Sequence, residues 1–178
     1  MTPYLFTGEN LPSIIFELAE HLANLGFQGK IQIVGGAAIC ISVNPNRDAT
    51  LDVDAGWKES QLVTDAIAEF TEKKNLPIGW LNQEYRKYSP PVHQGDWVPF
   101  FETEGVAVEV ASREFLLAMK LFADRGSRDR QDTVVLLDQL GITHPDEAEE
   151  VLERYWPGEG LRKETRAFLE AHFATPGE

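Results

Sequence analysis

Along residues 11–26, LPSIIFELAEHLANLG, apolar side chains recur at helical spacing, with Ile14, Ile15, Leu18, Leu22 and Leu25 on one face. Ser13 is the predicted start of this helix and Gly26 its predicted stop. KIQIV (30–34) instead alternates Ile31 and Ile33 with polar neighbours, the period of a strand. Gly35-Gly36 punctuates it. AAICISV (37–43) is apolar throughout, and its length fits a helix or a strand. After a turn at NPN, TLDVDA (50–55) alternates again. It predicts a second strand with Leu51 and Val53 turned to the core and Asp52 and Asp54 sharing the opposite face.

Residues 59–74 carry Leu62, Val63, Ala66, Ile67 and Phe70 on one side of a helix. An irregular stretch follows, containing LPIGWLN and YSPPVHQGDW, in which Pro90 and Pro91 exclude a central strand. VPFFET and GVAVEVAS read as paired strands turning at Glu104-Gly105. Four helices are predicted after that: 112–125 with Ser112 as N-cap, 129–141 ended by Gly141, 144–156 and 161–173. The order of elements predicts an α+β (α/β) fold. Residues 1–111 form an α/β core with a small sheet, and residues 112–178 a helical part packed on it as one compact unit.

Composition changes this picture in two ways. A formal net charge of −13 argues against a broad grip on nucleic acid or on anionic membranes, because both need clustered Lys and Arg. A local basic groove remains compatible with it. The one cysteine, Cys40, lies in apolar AAICIS and reads as a small buried hydrophobe. MTPYLFTGEN lacks the charged and apolar regions of a secretory leader, and no apolar run reaches membrane-spanning length, so the expectation is a cytoplasmic protein. The four histidines show no metal-ligand spacing.

The candidate chemistry lies in RDATLDVDAGW (47–57). Two carboxylates on one strand face repel unless a cation, a basic partner or a shared proton joins them. Mg²⁺ held by one or two carboxylates together with substrate phosphates is a common solution. Gly35-Gly36 lies shortly upstream. If 37–43 is helical, free N–H groups at those glycines make a phosphate cradle. A solvated strand edge and a plain tight turn are the structural alternatives for the Asp pair and the Gly pair.

IVGGAAICISVNPNRDATLDVDA resembles the signature of the nucleotidyltransferase superfamily, the polymerase-beta-like fold. It is similar, more narrowly, to an uncharacterised bacterial nucleotidyltransferase family near the abortive-infection type toxins. Arg47 and Thr50 match that family's Arg and Thr before the D-x-D, LPIGWLN matches its Leu-Pro…Trp-Leu-Asn segment, and VASREFLLAMKLFADRGSRDRQD its helix-borne motif. The resemblance spans roughly residues 30–157. It implies a small mixed sheet with flanking helices. It implies transfer of a nucleoside monophosphate from an NTP to an RNA (such as tRNA) or protein acceptor, in a toxin or defence setting with a possible antitoxin partner. Asp52 and Asp54 would hold Mg²⁺ or Mn²⁺, and Gly35, Gly36, Arg47, Thr50 and Arg125 would bind the nucleotide. Lys120 would pair with phosphate charge and Asp129 would add an acid. Asn82, Glu109 and Asp132 are further candidates. Glu109 is the strand-borne option for a third carboxylate, and Asp129 the helix-borne one. Structural roles compete with these: Asn82 as a turn former, Glu109 as a solvated residue, Lys120 as a surface lysine, and Asp129 and Asp132 as first-turn acids favoured by the helix dipole.

Two rival classes remain. One is a nucleotide- or partner-binding protein on the same fold without turnover, antitoxin-like or regulatory. The other is a haloacid-dehalogenase-type phosphatase, which also uses a D-x-D, a Lys and Asp. That motif usually opens its domain, and no Rossmann-like βαβ series follows here.

Overall fold

The computed structural model describes residues 4–90, 95–124 and 126–174. The fold is α+β, with a mixed five-stranded sheet and helices. Its contacts divide the chain into two units, one of Met1–Lys87 and Trp97–Ala111, the other of Tyr88–Asp96 and Ser112–Glu178.

The first unit holds the sheet: β1 (Gly29–Ile33), β2 (Val53–Trp57), β3 (Leu81–Asn82), β4 (Trp97–Thr103) and β5 (Val106–Ala111), in the order β3-β2-β1-β5-β4. β1 runs antiparallel to β2 and parallel to β5, β3 parallels β2, and β4 and β5 form a hairpin. The hairpin turns at Glu104-Gly105, where Gly105 supplies a φ of +94°.

Register assigns the two faces. Ile31, Ile33, Val53, Ala55, Val106, Val108 and Val110 are buried. Helix α1 (Leu11–Asn24) packs against β4, β5 and α3 (Gln61–Lys73). The opposite face carries Lys30, Gln32, Asp54, Gly56, Asn82 and Glu109, aligned through the pairs Gln32–Gly56, Gln32–Glu109 and Asp54–Asn82. All of these except Gly56 keep contact with solvent. One apolar and one polar face is the division open to a sheet that packs helices on one side. An aromatic cluster adds to the core: Trp80 stacks on Phe6 at 5.5 Å, meets Phe70 at 6.3 Å, and donates its indole N–H to Thr71 Oγ1 at 2.9 Å.

Several expectations change. The second strand begins at Val53 rather than Thr50, because Thr50 is drawn aside by an isolated antiparallel bridge to Phe6, with both backbone bonds at 2.8 Å. Leu51 is therefore 56% exposed instead of facing the core, and Asp52 precedes the strand that contains Asp54. Residues 37–43 resolve as helical, in α2 (Gly35–Ser42). α1 starts at Leu11, ahead of Ser13, with Pro12 in its first turn; its end at Leu25 leaves that side chain 45% exposed. Leu62, in the first turn of α3, is exposed as well. Within the irregular stretch, Leu81–Asn82 pairs with β2 as an edge strand; Pro91 lies outside the described residues.

The second unit contains α4 (Arg113–Ala123), α5 (Ser127–Leu140), α6 (Pro145–Tyr155) and α7 (Lys163–Ala174). α4 packs on α5 and α6, and α6 on α7. Ser112 caps α4 by accepting from Phe115 N at 3.1 Å, and Gly141 ends α5 in the left-handed conformation. The carbonyl of Asp96 accepts from Ser112 N at 2.8 Å, and its carboxylate accepts from the Tyr155 hydroxyl. Burial and that acidic partner push the Tyr155 phenol well above its ordinary pKa. Among the described residues, no helix is long and apolar enough to cross a membrane.

Candidate functional site

The end of β1 and the start of α2 meet β2. Val34 N donates to Asp54 O at 2.9 Å, fixing that carboxylate's residue beside the first turn of α2. Gly35 has a φ of +64°, a conformation that side-chain-bearing residues rarely adopt. A Cβ on Gly35 would stand 3.2 Å from Asp54 Oδ2. One on Gly36 would stand 3.3 Å from both Arg47 Nη2 and Thr50 Oγ1. The two glycines thus bring bare backbone up to an acid, a guanidinium and a hydroxyl. α2 has no side-chain N-cap bond, and N–H groups in a first turn find no partner within their own helix. With the dipole, they form an end suited to anions.

Asp52 joins through Thr50, which is buried and whose hydroxyl lies 3.4 Å from Asp52 Oδ1. Arg47 Nη1 donates to Asp48 O at 2.9 Å, which helps hold its guanidinium near Gly36. Of the residues expected to bind nucleotide or metal, Gly35, Gly36, Arg47, Thr50, Asp52 and Asp54 come together around one helix end. Asn82 adjoins them in register with Asp54, and its Oδ1 accepts from Glu84 N at 2.9 Å, so it also closes a turn.

Glu109 is on the same sheet face, engaged by Lys30 Nζ at 2.6 Å and Gln32 Nε2 at 2.9 Å. Burial raises its pKa, but the bonds from Lys30 and Gln32 and the charge of Lys30 outweigh that and hold the carboxyl below its usual range. Gln32 and Tyr85 are residues of this face that sequence reasoning passed over. The Tyr85 hydroxyl occupies the place a Cβ on Gly56 would take. A glycine inside a strand, two residues after Asp54, was the available signal for such a close approach.

Among the described residues, no group of three or more His, Cys, Asp or Glu is placed to hold a metal ion. Mg²⁺ favours one or two carboxylates plus water and substrate phosphates over an all-protein cage, and Asp52 and Asp54 are the residues near this helix end that would hold it.

Lys120, Asp129 and Asp132 gather in the helical unit. All three are buried, with Lys120 Nζ 2.6 Å from Asp129 Oδ1 and 2.8 Å from Asp132 Oδ2. Asp129 is in the first turn of α5; Asp132 is in the second, where the dipole account does not reach, and its ion pair with Lys120 gives the physical reason for its place. Arg125 lies outside the described residues.

Comparison with protein-family models, with curated proteins and with solved structures returns no match for this chain.

Proposed function

We propose that this chain is a metal-dependent nucleotidyltransferase that moves a nucleoside monophosphate from an NTP to an acceptor hydroxyl on RNA or protein. The observation that carries the reading is the gathering of Arg47, Thr50 and Asp54 around Gly35-Gly36 at the start of α2. In this reading the α2 amides and the Arg47 guanidinium bind the triphosphate. Asp52 and Asp54 would hold Mg²⁺ or Mn²⁺, which when bound supplies charge neutralisation and a lowered acceptor pKa. The chain itself orients the α-phosphorus for attack by the acceptor oxygen as pyrophosphate departs. With a net charge of −13, the acceptor is a small RNA end or a protein rather than a long duplex. A toxin or defence role with an antitoxin partner rests on the family resemblance alone.

Each labelled NTP, with Mg²⁺ or Mn²⁺, total RNA and total protein, provides the test. Label should move to an acceptor with the natural chain and be lost with Asp52→Asn or Asp54→Asn. Absence of both label transfer and NTP binding would sink the reading.

One observation favours a second reading, a nucleotide-binding protein without turnover. Glu109, the strand-borne candidate for a third carboxylate, is engaged by Lys30 and Gln32. That protein would bind NTP and yield no product.

A further inference from the structure

Two strands and the start of α2 place one row of residues at the polar face. Val34 N bonds to Asp54 O, and Asp54 stands in register with Asn82, so the row runs from the Gly35 helix end over Asp54 to Asn82. Farther along β2, the Tyr85 hydroxyl fills the space above Gly56 and closes that direction. A nucleotide with phosphates at Gly35-Gly36 would therefore direct its nucleoside along the row, toward Asn82.

The carboxamide of Asn82 is oriented. Its Oδ1 accepts from Glu84 N at 2.9 Å, which leaves the two Nδ2 hydrogens as donors for another partner. The residue is half-buried, so an acceptor placed against it is partly shielded from water. Resting on the nucleotide-binding reading above, we propose that Asn82 donates to a ribose hydroxyl and makes the site selective for ribonucleotides. A group restricted to donating recognises a hydroxyl oxygen, and removal of that oxygen leaves the donor unpaired.

Equilibrium binding of an NTP and of its 2′-deoxy and 3′-deoxy analogues, with Mg²⁺, tests this without requiring turnover. For the natural chain, one deoxy analogue should bind roughly tenfold more weakly than the NTP. Asn82→Ala should abolish that difference and leave affinity for the weaker analogue nearly unchanged. Asn82→Asp keeps an oxygen for Glu84 N–H and so preserves the turn, yet lacks the donors. Its added charge weakens all three ligands, and its carboxylate can accept from the same hydroxyl, so NTP binding by this variant reports an intact turn and the ratio is read on Asn82→Ala. Equal affinity of the natural chain for all three, or a ratio that survives in Asn82→Ala, overturns the proposal. So does a change in base preference with ribose preference intact, when the four NTPs are compared. Failure of the natural chain to bind any NTP is a different result: it removes the nucleotide site itself.

Discussion

Asp129 and Asp132 in the helical unit and Asp52 and Asp54 in the sheet unit look alike in the sequence: two closely spaced acids with a basic residue near at hand. Their surroundings differ. The helical pair is buried and shares the Lys120 ammonium, joining α4 to α5. Asp52 is exposed and Asp54 half-buried, next to a glycine helix end without a side-chain cap. Buried charges give up hydration and depend on fixed partners. Acids that keep some water retain capacity for a charge brought by a ligand. Burial, rather than residue type, separates a clamp from a candidate site.

The strongest way to break this contrast is to neutralise one acid of each pair. Asp132→Asn should destabilise the chain by about 1–3 kcal/mol, because the buried Lys120 loses one of its two acidic partners and keeps Asp129. Asp54→Asn should shift stability by no more than about 1 kcal/mol while abolishing label transfer. Urea unfolding of the two variants provides the measurement, and equal losses would erase the distinction. A smaller effect is expected at Gly35. Gly35→Ala forces a side chain into a left-handed conformation beside Asp54 Oδ2 and should cost about 1–2 kcal/mol. NTP affinity should fall with it, as read by titration; unchanged affinity would separate the glycine from the ligand. The smallest concerns Glu109. Its folded pKa is lowered, so its contribution is present above the unfolded value of about 4.3 and is lost as pH falls through the folded value. Lys30 is mostly exposed, which keeps the contribution under about 1 kcal/mol. Thermal unfolding of Glu109→Gln should show a shallower loss of stability on acidification than the natural chain, and identical slopes would remove the ion pair from the account.

Much of the helical pattern was readable, because the apolar periods of α1 and α3 and the caps at Ser112 and Gly141 are local signals. The closeness of Gly35-Gly36 to the Asp pair along the chain was readable for a similar reason: one short helix, α2, and one turn separate them. Other features depend on partners distant in the chain. Thr50 leaves the expected strand because it bonds to Phe6, which no alternation within 50–55 reveals. The two-residue strand β3 is too short to have a period, so the alignment of Asn82 with Asp54 appears only on pairing. Lys120 falls between Met119 and Leu121, and helical phase cannot show that its ammonium finds two buried acids.

The pairing of β1 with β5 has a kinetic consequence. The bond from Gln32 to Glu109 joins residues 77 positions apart, whereas β1, the α2 helix end and β2 all fall within residues 29–57. Chain closure over such a span is entropically costly and slows folding. The glycine helix end and its neighbours can be assembled from nearby chain, but Glu109 reaches its place only when the longest-range strand pairing of the sheet is made. The strand-borne acid thus takes its position from the contact of the sheet that spans the most chain.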